Sequence, residues 1–288
     1  VALQLLLVAI FAEQARPRGE IGKPTNLPLR DLPADGSVSW RYLVAMPTRD
    51  LRNDRSNARR PAENRDEQLR SALKRLNGSR VELSRPSGRG RFAGFRLLDE
   101  GATHDTGTVA YRMPGDTDDD VFRIPIEFFT RGWVHALTDD ETIAYLFLQH
   151  QIQLWPAEAR EDGVPVSKSV WSMAFEAPRA HEGASRNLFR FGLIGMDRPA
   201  GRRGDGTIED FRDISDGGGR APGPNRFHIA PEALNRPAVA TVVEGLREII
   251  AGTPLHPYSD LDGFFPQMQR WRSSPVWPGR SDPLNVQD

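Results

Sequence analysis

The chain has 288 residues, enough for one large domain or two of ordinary size. It has no cysteine, which excludes disulfides and cysteine-based metal sites, and no apolar run is long enough to span a bilayer. The net charge of −1 averages two opposed blocks: fourteen Arg or Lys against six Asp or Glu from Arg49 to Arg96, then four against fourteen from Asp99 to Asp162.

The first dozen residues are apolar, and FAEQA at their end loosely resembles a signal-peptide cleavage site. Leu3, Leu6, Leu7, Ile10 and Phe11 recur at helical spacing, with Gln4 and Glu13 off that face. The spacing predicts a buried helix of the fold over residues 2–14. A Pro- and Gly-rich loop comes next. Trp40, Leu43 and Val44 then mark a short helix ended by Pro47. TRDLRNDRSNARRP has no apolar periodicity and reads as a loop.

Asn64 and Glu67 have the spacing of a capping box for a third helix. Its core stripe is Leu69, Ala72, Leu73 and Leu76, and Asn77-Gly78 stops it. Residues 81–83 and 92–98 read as strands joined by a tight basic turn, PSGRGR. Residues 109–113 form a further candidate strand. Asp116, Asp118, Asp119 and Asp120 could suggest a cation site, but the glycine and distant glutamate of a calcium loop are out of register. A solvated linker is the expectation, with no metal.

In the second half, residues 121–124 alternate like a strand. Pro125 opens a short helix with Ile126, Phe129 and Trp133 facing inward. Thr138 and Glu141 form another capping box, ahead of a helix over residues 138–151 with Ile143, Ala144, Phe147 and Leu148 on its buried side. Helices are expected at 167–175 and 178–191, then a strand at 193–198, a long Gly- and Arg-rich loop and a return strand at 226–229. Loops of that length are usually functional or disordered. Val239, Val242, Val243, Leu246 and Ile249 predict a trailing helix stopped by Gly252. The chain ends in a tail with Phe264, Phe265, Trp271 and Trp277.

Both halves thus run helix, helix, helix, strand, basic loop, strand, without a residue-level repeat. On the first third helix, Arg70, Ser71, Lys74 and Arg75 form a polar face suited to phosphates, with Arg59 and Arg60 before it and Arg89 and Arg91 on the turn. On the second, Arg179, Glu182, Ser185 and Arg186 lie opposite Ala180, Ala184, Leu188 and Phe191. Arg can donate two bonds to guanine, and Glu can accept from cytosine N4. Arg202 and Arg203 stand on the long loop. The bland alternative is a solvated face with an i,i+4 ion pair. Only Lys23, Lys74 and Lys168 of the 38 basic residues are lysine. A GC-rich genome accounts for that bias but not for the clustering.

The common catalytic motifs are missing: no phosphate-binding loop, no G-x-S-x-G, no H-E-x-x-H. His104, His135, His150, His181, His228 and His256 have no metal-ligand spacing. No enzymatic activity and no cofactor are expected.

The segments NRDEQLRSALKRL and PRAHEGASRNLFRFGLI, each leading into a strand and a basic loop, resemble the winged-helix DNA-binding superfamily, and in particular the tandem layout of plasmid replication initiator proteins. The chain also resembles winged-helix proteins of Arg-rich, GC-rich bacteria. The resemblance covers residues 2–98 and 121–229. It implies a mainly α fold with small β wings (α+β), with two winged helix-turn-helix domains in tandem. The expected divisions are 1–100, an acidic linker at 101–120, 121–252, and a Pro/Trp-rich tail at 253–288. It implies that Arg179 and Arg186 read bases while the first half binds backbone or a second subunit. The acidic hinge and the long second wing depart from a compact initiator. The expected function is sequence-specific binding of double-stranded DNA by a cytoplasmic replication initiator or transcriptional regulator, with a homodimer on repeats or palindromes. The alternative is a protein-interaction module docking through its tail. No membrane partner is expected.

Overall fold

A computed structural model describes residues 1–25, 27–29, 38–44, 61–88, 90–92, 94–101, 108–115, 121–156, 163–175, 180–197, 199–201, 208 and 222–252. The fold is mixed α+β, with nine α-helices and two small sheets among these residues. No described helix is long and apolar enough to cross a membrane. The chain divides into two compact units. The first holds Val1–Thr142 with Leu234–Val242, and the second holds Ile143–Ala233 with the described part of Val243–Asp288. Residues 121–142 therefore group with the first unit.

In the first unit, α1 (Ala2–Gln14) packs against α3 (Pro61–Leu76). It buries Leu5, Leu7, Val8 and Ala9, so its inner face is not the 3/6/7/10/11 stripe. Glu13 is buried too, since its carboxylate accepts from Arg16 Nη1 at 2.8 Å and from the Gly22 N–H at 2.6 Å. The polar group is thus satisfied before it is enclosed.

Helix α2 (Trp40–Leu43) also packs on α3. Helix α3 begins at Pro61, a turn ahead of Asn64, which is therefore not its cap. Proline suits a first helical position because the N–H it lacks has no intrahelical partner there. Leu69, Ala72, Leu73 and Leu76 are buried, as the spacing requires. The chain leaves the helix through Gly78 at φ +85°.

Strands β1 (Val81–Leu83) and β2 (Phe95–Leu97) form an antiparallel hairpin with Val81 opposite Leu97 and Leu83 opposite Phe95. The other edge of β2 is also used. Thr25 N–H donates to Phe95 O at 2.7 Å and Tyr111 N–H to Leu97 O at 3.0 Å. The second strand of the hairpin is thus central. Residues 109–113 form a bridge, Leu98 to Ala110, instead of a strand.

Residues 121–124 are not a strand. Two short helices come next, α4 (Glu127–Thr130) and α5 (Trp133–Ala136), separated by Gly132 at φ +83°. Ile126 is exposed and Phe128 takes the buried position instead. Phe11 stacks on Phe129 with centroids 4.5 Å apart. The fully buried Trp133 donates its indole N–H to Leu234 O at 3.0 Å.

Helix α6 (Asp139–Leu154) starts with the capping box read from the sequence. Thr138 N–H donates to Glu141 Oε2 at 2.8 Å, and Glu141 N–H to Thr138 Oγ1 at 3.3 Å.

In the second unit, Ala144, Tyr145, Leu148 and Ile152 of α6 are buried. Next come β3 (Val164–Pro165), α7 (Lys168–Ala174), α8 (Ala180–Arg190), β4 (Ile194–Asp197) and β5 (Arg226–Ile229). Ser167 Oγ caps α7 by accepting from Val170 N–H. The sheet runs β3-β5-β4, all antiparallel, again with the hairpin's second strand in the centre. Trp171 packs among Phe147, Phe175 and Phe227. A 3-10 turn, Pro231–Asn235, leads to α9 (Ala238–Ile250). Gly245 lets α9 approach Phe191, whose ring would lie 2.9 Å from an added Cβ.

Both units therefore have one order. In the first it is α1, the Thr25 edge contact, α2, α3, β1, β2. In the second it is α6, β3, α7, α8, β4, β5.

Candidate nucleic-acid interface

Helix α3 turns its apolar stripe inward, so the 100° step per residue sends residues 70, 71, 74 and 75 outward. Ser71, Lys74 and Arg75 are exposed and Arg70 is half-buried. Arg70 and Lys74 stand one turn apart, as do Ser71 and Arg75. Among the described residues none of the three cations forms an ion pair. Their charge is therefore available to an outside anion.

The hairpin lies directly after this helix. Its turn passes through Gly88 and Gly90, both with positive φ, and Arg91 N–H donates to Gly88 O at 3.3 Å. The Arg91 guanidinium sits 5.6 Å from the centroid of the Phe92 ring, which holds it against the turn. Arg85 is exposed at the start of the turn. Arg80 and Arg96 belong to the same basic block but are occupied. Arg80 Nη1 donates to Glu100 O at 3.0 Å, and Arg96 pairs with Glu82 across the ladder. Among the described residues of the block, the contacts are thus unevenly distributed, and the cations on the outer face of α3 have no ion pair.

In the second unit, α8 buries Ala184, Leu188 and Phe189, with Phe191 just beyond its end. Arg186 is exposed and Glu182 is half-buried one turn before it. The two form no ion pair with each other, although their i,i+4 spacing permits one. Ser185 is half-buried and its hydroxyl oxygen is enclosed without a hydrogen bond. Arg190 is tied to Glu248 of α9 at 3.3 Å. Arg59, Arg60, Arg89, Arg179, Arg202 and Arg203 lie outside the described residues, as does the acidic run at Asp116–Asp120.

Chemically, the α3 face can neutralise phosphates and donate hydrogen bonds, and the α8 face offers one cation and one carboxylate. Among the described residues no three His, Asp or Glu side chains converge as a metal site. Comparison with protein-family models, curated proteins and solved structures finds no match to the chain.

Proposed function

We propose that the chain binds double-stranded DNA sequence-specifically through two winged helices in tandem, as a cytoplasmic plasmid replication initiator or transcriptional regulator. The observation that carries this reading is the order common to both units: helix, edge pairing, helix, helix, hairpin, with the last strand central. In a winged helix the third helix enters the major groove and the hairpin loop lies along the backbone. On this reading α3 and α8 are the recognition helices. Arg70, Lys74 and Arg75 supply affinity through phosphates, and Arg186 with Glu182 reads base edges. A homodimer would place two such readers on repeated or palindromic half-sites.

The experiment is selection from a random double-stranded library by the purified chain at two salt concentrations, with sequencing of the retained DNA. A motif that survives the higher salt supports a sequence reader, and its half-site spacing reports the symmetry. Retention without a motif reduces the function to backbone binding. No retention at either salt overturns the proposal.

A second reading, a protein-interaction module, is favoured by α9. That helix presents Val243, Leu246, Ile249 and Ile250 to solvent, with Ile250 at 85% exposure. Four exposed aliphatic side chains on about two turns mark a contact surface more readily than scattered singles do. Leu246→Glu leaves DNA retention intact on the first reading and abolishes partner capture on the second.

A further inference from the structure

Helix α9 buries its small residues and shows its large ones. Ala238 and Thr241 are enclosed, and Gly245 lies so close to Phe191 that a Cβ there would meet the ring at 2.9 Å. The Thr241 hydroxyl is satisfied within the helix, donating to Pro237 O at 3.0 Å. Val239, Val243, Leu246 and Ile250 are exposed, from 39% at Val243 to 85% at Ile250. At the helical turn of 3.6 residues these four fall within an arc of roughly 60°. Large aliphatic side chains in one exposed row are unfavourable in water until something covers them.

The row is complementary to itself. Its members are separated by four, three and four residues, the a/d repeat of paired helices, and that spacing is the same in either direction. A second α9 laid antiparallel about the midpoint between Glu244 and Gly245 sets Val243 against Leu246 of the second copy and Val239 against its Ile250. Each layer then joins a smaller side chain to a larger one. A two-fold contact between identical chains requires this self-match, and a different partner does not. The flanks agree. Ala240 and Arg247 lie on one side of the row, so each Arg247 neighbours the Ala240 of the second copy and like charges stay apart. On the other side Ile249, 44% exposed, widens the apolar surface. Covering this face on two chains removes on the order of 1,000 Å², the lower limit of a specific interface and the range of reversible contacts.

We infer that the outer face of α9 is the contact between two copies of this chain, paired antiparallel through Val239, Val243, Leu246 and Ile250. It supplies a surface for the homodimer of the DNA-binding reading but rests on α9 alone. The contact forms without nucleic acid, so its test and the DNA selection fail separately.

The test is sedimentation velocity of the full chain without DNA, over about 1–200 µM, the range in which a small interface associates. The wild-type chain is expected to pass from one copy to two. Val243→Glu and Leu246→Lys, each alone, put unpaired charges into the contact and are expected to weaken it at least about a hundredfold. Mixed in equal amounts, the two variants are expected to associate again. Antiparallel pairing sets the new carboxylate at position 243 against the new ammonium at position 246, and the other layer keeps Val243 with Leu246. Parallel pairing breaks both layers. Ile250→Glu, at the last residue of the helix, tests the same face if either variant does not fold. A wild-type chain that stays single at about 200 µM overturns the inference and leaves the face to residues 253–288 or to another protein. Association undiminished by these variants overturns it too, by placing the contact elsewhere. A mixture that stays monomeric overturns the antiparallel pairing.

Discussion

His228 Nε2 lies 2.7 Å from Asp197 Oδ2, joining β5 to β4. His228 is 2% exposed, and Gly163 is packed so closely that a Cβ there would meet its ring at 2.6 Å. The imidazole is thus enclosed on one side by backbone and fixed on the other by a carboxylate. Asp197→Ala removes that carboxylate from beside a buried imidazole. The expected loss is about 1–3 kcal/mol in urea unfolding. Gly163→Ala meets both the ring and an unfavourable φ of +74°, and it is expected to be at least as damaging. A variant at either position with wild-type stability would show that the pair does not hold the hairpin.

Leu73 is fully buried on α3, in the helix that carries the unpaired cations. Leu73→Ala is expected to destabilise the chain by about 2–5 kcal/mol, through lost transfer energy and the cavity left behind. Lys74→Ala, one residue away on the outer face, should change stability by less than about 0.5 kcal/mol. Urea midpoints of the two variants check the orientation of the helix directly. Equal effects would mean that α3 is not seated on its Leu69/Leu73 stripe.

Burial pushes the Tyr111 phenol above its ordinary value of 10.0, helped by Glu100, Glu13 and Asp99 and opposed by the hydrogen bond from Gln14. A raised folded-state pKa means that the neutral phenol is preferred in the native chain. Its contribution is complete below pH 10 and is lost as pH rises through the folded value. Gln14 Nε2 donates to Tyr111 Oη at 2.7 Å, so Tyr111→Phe is expected to lose about 0.5–1.5 kcal/mol near neutrality. Above pH 10 the gap should narrow, because only the wild-type chain has a phenol to ionise. Urea unfolding at pH 8 and pH 10.5 measures both differences. A gap that widens with pH overturns the assignment.

The features legible in the sequence are those encoded within one turn or one face. The Thr138/Glu141 capping box is two residues three apart, and both of its bonds form. The Leu69–Leu76 stripe has helical spacing and is buried. The illegible features depend on distant partners. Glu13 reads as a solvent residue until Gly22 N–H and Arg16 are placed beside it. Two residues of β3 are too few to show alternation, and that strand exists because Val164 pairs with Phe227 across more than sixty positions. Periodicity predicts the α9 helix, but it says nothing of what covers Leu246 or Ile250, and both are exposed. At the candidate interface, composition locates the basic block, while the pairing that removes Arg80 and Arg96 from it is tertiary.

The unpaired α3 cations make the DNA-binding proposal quantitative. Removing one phosphate-neutralising cation lowers the dependence of log K on log salt by about 0.9. Arg70→Ala with Lys74→Ala is therefore expected to reduce the salt slope by roughly 2. Affinity should fall to a similar degree on every sequence, because phosphates carry no sequence information. Arg186→Ala has a different signature. Removing a base-reading arginine is expected to cost about 1–3 kcal/mol on the preferred site and much less elsewhere, so the specificity ratio narrows. Binding isotherms on the selected site and on a scrambled duplex, at three salt concentrations, separate the two effects. If the double variant keeps the wild-type slope, α3 does not face the backbone and the first unit's role passes to protein contacts. If Arg186→Ala weakens both duplexes equally, α8 lies along phosphates and the base-reading assignment fails.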